Sequence, residues 1–176
     1  MLDHWQRNLA PLRAGILLAL LAILYGFGLG AAFGAAEDSI KQGLRDDAAA
    51  VLAEEYGDDE AKAKKVTDKS WAYFKRAHLH ANGLGTASLV LILLLSFLGG
   101  PSLARSLVAL GLGLGSLGYG SYWMFAAMRA PGMGSTGAAK ESLAWLALPS
   151  SALCILGLLA VIGFAVRAAC CRPVSA

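Results

Sequence analysis

The sequence predicts an all-α membrane protein: a bundle of four transmembrane helices with an amphipathic helical insertion between the first and second helices. Hydrophobic residues make up 57% of its 176 residues and charged residues 15%, against about a quarter charged in an average soluble domain. Four apolar runs each reach the roughly 20 residues that a helix needs to cross a bilayer. The predicted spans are residues 14–36, 78–98, 103–128 and 143–166, and residues 37–77 lie outside the membrane.

Glycines in the first and third predicted helices have the spacing of close helix packing. Gly26, Gly30 and Gly34 recur at every fourth position in the first helix, and Gly111 and Gly115 do so in the third. In lipid, small residues at this spacing let neighbouring backbones approach each other. Further glycines place small residues on more than one face of the third helix, so we expect this helix to be central in the bundle.

The polar insertion, residues 37–77, carries ten acidic and eight basic residues. Its apolar residues approximate one face of a helix, and the run Gly57-Asp58-Asp59 is a turn signal. We expect a helical hairpin, or one bent helix, that rests on the membrane surface. Its mixed charges are typical of a solvated face, and a docking surface for a partner protein is the alternative.

The distribution of lysine and arginine predicts the orientation. Arginines dominate the side that holds both termini, whereas the short loop on the other side has Arg129 and Lys140. The positive-inside rule then favours both termini on the inner side. We expect a bacterial inner membrane with the insertion in the periplasm.

Alternating helix directions bring several polar side chains to the insertion side of the bundle. This polar rim collects His78, His80, Met128, Met133, Glu37, Asn82, Arg129, Lys140 and Glu141. Imidazole binds copper, zinc and haem iron, and a methionine thioether suits Cu(I) or an axial haem position. The rim therefore predicts a haem b or copper site, with the two histidines and two methionines as ligands and the other five residues in support.

The spacing of the histidines limits how they act together. In a regular helix, residues two apart point about 200° away from each other. His78 and His80 therefore bind one ion only from an extended or frayed helix start; otherwise one is a ligand and the other is structural. Alternatively the site holds no cofactor, and both histidines make hydrogen bonds to headgroups, water or helix ends. A proton-handling or quinone-contacting role is a further interpretation.

The run AHLHANGLG carries a resemblance to a known group of proteins. It is similar to the H-x-H-x-x-x-L-G start of the second helix in small, uncharacterised four-helix bacterial membrane proteins, which are likened to haem-copper oxidase subunits. The matching positions are His78, His80, Leu84 and Gly85. The resemblance implies a haem or copper role. This chain differs in its longer insertion and in having no histidine in the fourth helix.

The leading functional hypothesis is a haem- or copper-binding component of membrane electron transfer. The alternative is a cofactor-free structural or accessory subunit of a larger membrane complex. No hydrolytic triad, P-loop, zinc-protease helix or Rossmann glycine motif is present, which favours a protein that is not an enzyme by itself. Expected partners are the lipid bilayer and other membrane subunits or further copies of the chain. Nucleic acid is not expected, because no basic stripe interleaved with aromatic residues occurs.

Overall fold

The computed structural model describes residues 8–170, and this part of the chain is helical with no strand. A short 3₁₀ turn, Ala10–Leu12, leads into the first helix. The helices are α1 (Arg13–Ala49), α2 (Glu60–Phe97), α3 (Ser102–Arg129), α4 (Thr136–Glu141) and α5 (Ala144–Cys170). The prediction of an all-α fold is therefore confirmed for the described residues.

Residues 37–77 form a helical hairpin whose two limbs continue the apolar helices. Helix α1 is kinked at Ala36, where the backbone leaves helical geometry (φ −141°, ψ 26°), and then runs on to Ala49. A π-helical turn, Leu52–Tyr56, and the left-handed Gly57 and Asp58 reverse the chain. The Asp59 carboxylate accepts a hydrogen bond from the Lys62 backbone N–H at 2.9 Å and so caps α2. The hairpin is thus an extension of α1 and α2 rather than a separate pair of surface helices.

Helix α3 is the centre of the fold, as its glycine pattern predicts. It packs against α1, α2 and α5. A Cβ at Gly113, Gly115 or Gly120 would lie within 3.0 Å of a side chain from α1, α5 and α2 respectively. Because each of these glycines faces a different neighbour, the three contacts can form only where α3 lacks side chains.

Three helical segments are long and apolar enough to cross a membrane. They are Ala10–Ala49, Glu60–Phe97 and Ala144–Cys170, with mean hydropathies of 2.3, 1.6 and 2.3 over their most apolar windows. Helix α3 is not among them, since its glycines, serines and tyrosines lower its hydropathy. A helix that is covered by three neighbours has less need of apolar side chains than one that faces lipid.

Candidate functional site

The two histidines lie on opposite sides of α2 and contact different helices. His78 faces α1, where its Nδ1 lies 2.8 Å from the carbonyl oxygen of Gly26. His80 faces α3, where its ring lies 5.2 Å from that of Tyr119 and is stacked at 5.9 Å on that of Trp123. Helix α2 is regular through both positions. The extended or frayed helix start that would let both histidines bind one ion is therefore not what the chain adopts.

Two glycines of α1 make room for polar side chains of α2. A Cβ at Gly26 would lie 2.6 Å from the Asn82 amide, and a Cβ at Gly30 would lie 2.8 Å from the His78 ring. At Gly34 a Cβ would meet no other described atom within 4 Å. Gly26 and Gly30 thus form a cradle for His78 and Asn82, whereas Gly34 faces open space.

Hydrogen bonding fixes which role Nδ1 of His78 takes. The Gly26 carbonyl can only accept, so His78 Nδ1 carries the proton and donates it. The Asn82 amide nitrogen lies 3.3 Å from the same Nδ1, and Asn82 Oδ1 is buried without a hydrogen-bond partner among the described residues. Turning the amide by 180° places Oδ1 near Nδ1, where it can share the single Nδ1–H donor with the Gly26 carbonyl.

His80 belongs to an aromatic cluster that the sequence analysis did not identify. Its other members are Tyr73 on α2 and Tyr119, Tyr122 and Trp123 on α3, with ring centroids 4.9–6.3 Å apart. The Arg76 guanidinium lies 4.9 Å from the Trp123 ring and 5.3 Å from the Tyr73 ring. Residue spacing in the sequence indicates this cluster. Tyr119, Tyr122 and Trp123 share one face of α3, and Arg76 precedes His80 by four residues, which places both on one face of α2.

The backbone carbonyl of Arg76 fixes the proton position on His80. Its Nδ1 lies 2.8 Å from the Arg76 carbonyl oxygen, so Nδ1 donates and Nε2 keeps the lone pair in the neutral ring. Next to the ring is a small cleft of about 190 Å³, lined by Leu79, His80, Gly83 and Leu84.

The indole N–H of Trp123 in the same cluster is buried and has no hydrogen-bond partner in the part of the chain that is described.

The remaining rim residues do not converge on either histidine. Met128 is an exposed side chain near the end of α3, and Met133 lies in the loop that follows. Glu37 pairs with Lys41, and an Arg129 Nη1 lies 3.2 Å from Ser142 Oγ. Lys140 and Glu141 belong to α4. Over residues 8–170, no group of three or more His, Cys, Asp or Glu side chains is placed to hold a metal ion.

The predicted packing glycines of α3 have unequal roles. A Cβ at Gly115 would lie 2.7 Å from Cys154 Sγ and 2.8 Å from the Ser150 carbonyl oxygen. At Gly111 the nearest atom, Leu153 Cδ2, would be 3.4 Å away. Gly115 is therefore essential for the approach of α5, whereas Gly111 leaves ordinary contact distance.

A large concave feature lies in the hairpin, away from the histidines. A groove of about 850 Å³ runs between the two limbs. Its floor contains small and apolar residues, and its walls carry charges. The lining is Lys41, Leu44, Arg45, Ala48, Ala49, Leu52, Glu60, Ala61, Ala63, Lys64, Thr67, Asp68 and Trp71. At the tip, Tyr56 Oη donates to the Pro131 carbonyl at 2.7 Å and ties the hairpin to the loop after α3.

No protein-family model, curated protein or solved structure matches the chain. Its function must therefore be inferred from the contacts described above. Those contacts show two histidines in separate packing environments and a groove on the hairpin.

Proposed function

We propose that the protein is a four-span membrane subunit without a cofactor of its own, which acts as a structural or accessory component of a larger membrane complex. Its hairpin would project into the periplasm of a bacterium, with both termini on the inner side. The positive-inside distribution of arginine supports this orientation. Lipid and other membrane subunits are the partners that the proposal requires.

Exposed apolar side chains support a fourth crossing by α3. Within residues 28–78, no large apolar side chain is exposed. Exposed leucine, isoleucine, valine, phenylalanine, methionine or tryptophan side chains occur instead on α1 before residue 28, on α2 after residue 78, and along α3 and α5. At 1.5 Å per residue, the 28 residues of α3 extend about 42 Å, enough for a hydrocarbon core of about 30 Å.

The separation of His78 and His80 is the observation that carries the cofactor-free proposal. A shared haem or copper ion needs both imidazoles on one side of α2, whereas each ring packs against a different helix. His78 is bonded in the glycine cradle, and His80 is stacked in the aromatic cluster. The residues present therefore do not fit a cofactor bound jointly by the two histidines.

A second candidate keeps a narrower version of the redox hypothesis, in which His80 is the only histidine ligand. The bond from Nδ1 to the Arg76 carbonyl leaves Nε2 available, and histidines that bind metals commonly donate their other N–H to such an acceptor. A small cleft lies beside the ring. Such a haem or copper ion would need further ligands from a partner subunit, because Met128 and Met133 do not join His80.

An absorption spectrum and elemental analysis of the protein purified in mild detergent test the two candidates. The accessory-subunit proposal expects no Soret band, no stoichiometric iron or copper, and co-purification with larger membrane partners. A Soret band or bound copper that disappears in His80→Ala but persists in His78→Ala would establish the single-ligand candidate. Loss in both variants, at unchanged folding, would overturn the inference that the two histidines act separately.

A further inference from the structure

We propose that the groove of the hairpin binds a single-chain amphiphile with an anionic head, such as a long-chain carboxylate, from the aqueous phase. The groove lies between residues 41–49 of α1, with Leu52 of the π-helical turn, and residues 60–71 of α2. Its volume of about 850 Å³ is within the range of about 300–1,000 Å³ for small-molecule sites. This proposal does not depend on whether the histidines bind a cofactor.

The floor of the groove provides an apolar surface. It includes Leu44, Ala48, Leu52 and Ala63, and the alanines leave space that larger side chains would fill. Trp71 lies at the end nearer the bundle. A hydrocarbon chain in this channel would remove apolar surface from water, at about 25 cal/mol for each Å² that it covers.

The walls of the groove carry three cationic side chains. Lys41 and Arg45 line it from the α1 limb, and Lys64 lines it from the α2 limb. An anion is attracted to such a groove where one of the cations is not already neutralised by a neighbouring carboxylate.

Of the three cations that line the groove, Arg45 is the least neutralised by its neighbours. Its side chain bonds to the neutral Gln42 amide oxygen, at 2.8 and 3.2 Å. Lys64 pairs with Asp68, and Lys41 pairs with Glu37. Among residues 8–170, no carboxylate forms an ion pair with Arg45. A carboxylate head would give the planar guanidinium the partner that best matches its geometry.

The two acidic lining residues help to define where the head binds. Asp68 neutralises Lys64, and Glu60 lies toward the tip of the groove. Arg45 therefore keeps the least compensated charge of the lining. An anionic head is favoured beside Arg45, and a cationic head is not favoured there.

The test uses the full chain in phosphatidylcholine nanodiscs and 11-(dansylamino)undecanoic acid as the probe. We expect saturable binding, seen as a blue shift of dansyl emission, with energy transfer from Trp71. In Trp71→Phe the energy transfer should fall while the blue shift remains. Dodecyl phosphate should compete with the probe, and dodecyltrimethylammonium should not.

Charge variants and a blocking variant locate the site. Arg45→Gln and Lys64→Gln should each weaken binding about tenfold, whereas Lys65→Gln, an exposed lysine on the same limb that does not line the groove, should bind as the wild type does. Ala61→Trp fills the groove from an exposed position and should also block binding. Thermal unfolding of every variant checks that the hairpin still folds.

Three results would overturn the proposal. The first is the lack of a saturable signal in the folded wild type. The second is equal binding by Arg45→Gln, Lys64→Gln and Lys65→Gln. The third is Trp71 quenching by brominated phosphatidylglycerol within the nanodisc without any free probe, which would show that bilayer lipid is the occupant.

Discussion

The two sides of α2 show two different ways to pack a histidine against a neighbouring helix within one short motif. On the side of α1, His78 enters a cradle of glycines and donates to a backbone carbonyl. On the side of α3, His80 is stacked among aromatic rings beside a guanidinium. The first contact depends on hydrogen bonding and on space, whereas the second depends on ring packing. Two neighbouring histidines therefore need not form one site.

Filling the glycine cradle should lower the stability of the fold more than any other change proposed below. In Gly26→Leu the new side chain displaces the Asn82 amide, which would lie 2.6 Å from its Cβ, and disturbs the bond to His78. We expect a loss of about 3 kcal/mol in the free energy of unfolding, at the upper end for overpacking. Equilibrium unfolding in detergent measures it. Gly34→Leu is the matched control, and equal losses in the two variants would contradict the cradle.

Replacing each histidine by phenylalanine should separate the two sides of α2. His78→Phe removes the side-chain hydrogen bond to the Gly26 carbonyl and the contact with the Asn82 amide, and should cost about 1.5 kcal/mol. His80→Phe keeps an aromatic ring against Tyr119 and Trp123, so we expect a loss below about 1 kcal/mol. Unfolding of the two variants under identical conditions gives the comparison. A larger loss in His80→Phe would show that hydrogen bonding, not stacking, holds His80.

Removing the guanidinium should weaken the α3 side alone. Arg76→Gln loses the cation–π contacts with Trp123 and Tyr73, which we expect to cost about 1 kcal/mol. The emission of Trp123 should change as well, because the charge beside its ring is lost. Lys75→Gln, which removes an exposed neighbouring charge, should leave both quantities unchanged. A similar change in both variants would point to a general charge effect.

The hairpin tip offers a counterpart of the His78 contact, since the buried Tyr56 hydroxyl also donates to a backbone carbonyl. Tyr56→Phe should cost about 1 kcal/mol, the net contribution of a typical hydrogen bond. Burial, with a smaller contribution from the Glu55 carboxylate, raises the pKa of Tyr56 above its ordinary value of 10.0. The protonated Tyr56 hydroxyl therefore contributes its full stabilisation below pH 10, and this stabilisation is lost as the pH rises through the folded-state pKa.

The free energy of unfolding, measured between pH 8 and pH 12, checks the direction of this pH dependence. The wild type should lose more stability above pH 10 than Tyr56→Phe does, so the two curves should converge. Curves that stay parallel over the whole range would show that the Tyr56 hydroxyl does not titrate with folding.

The sequence by itself determined the features that depend on local pattern. Apolar runs and the lack of strand signals predicted the helices, and Gly57-Asp58-Asp59 marked the reversal that the structure has at Gly57 and Asp58. The spacing of His78 and His80 already implied opposite directions in a regular helix. The repeated glycines of α3 indicated its central place, because a helix that is approached from several sides needs small residues on several faces.

Only the tertiary structure decided which partner each side chain meets. His78 bonds to Gly26, 52 residues earlier in the chain, and His80 stacks on Trp123, 43 residues later. The groove between the limbs likewise follows from how α1 and α2 pack. Helical periodicity gives the direction of a side chain relative to its own helix, but the neighbour on that side depends on the packing of distant segments.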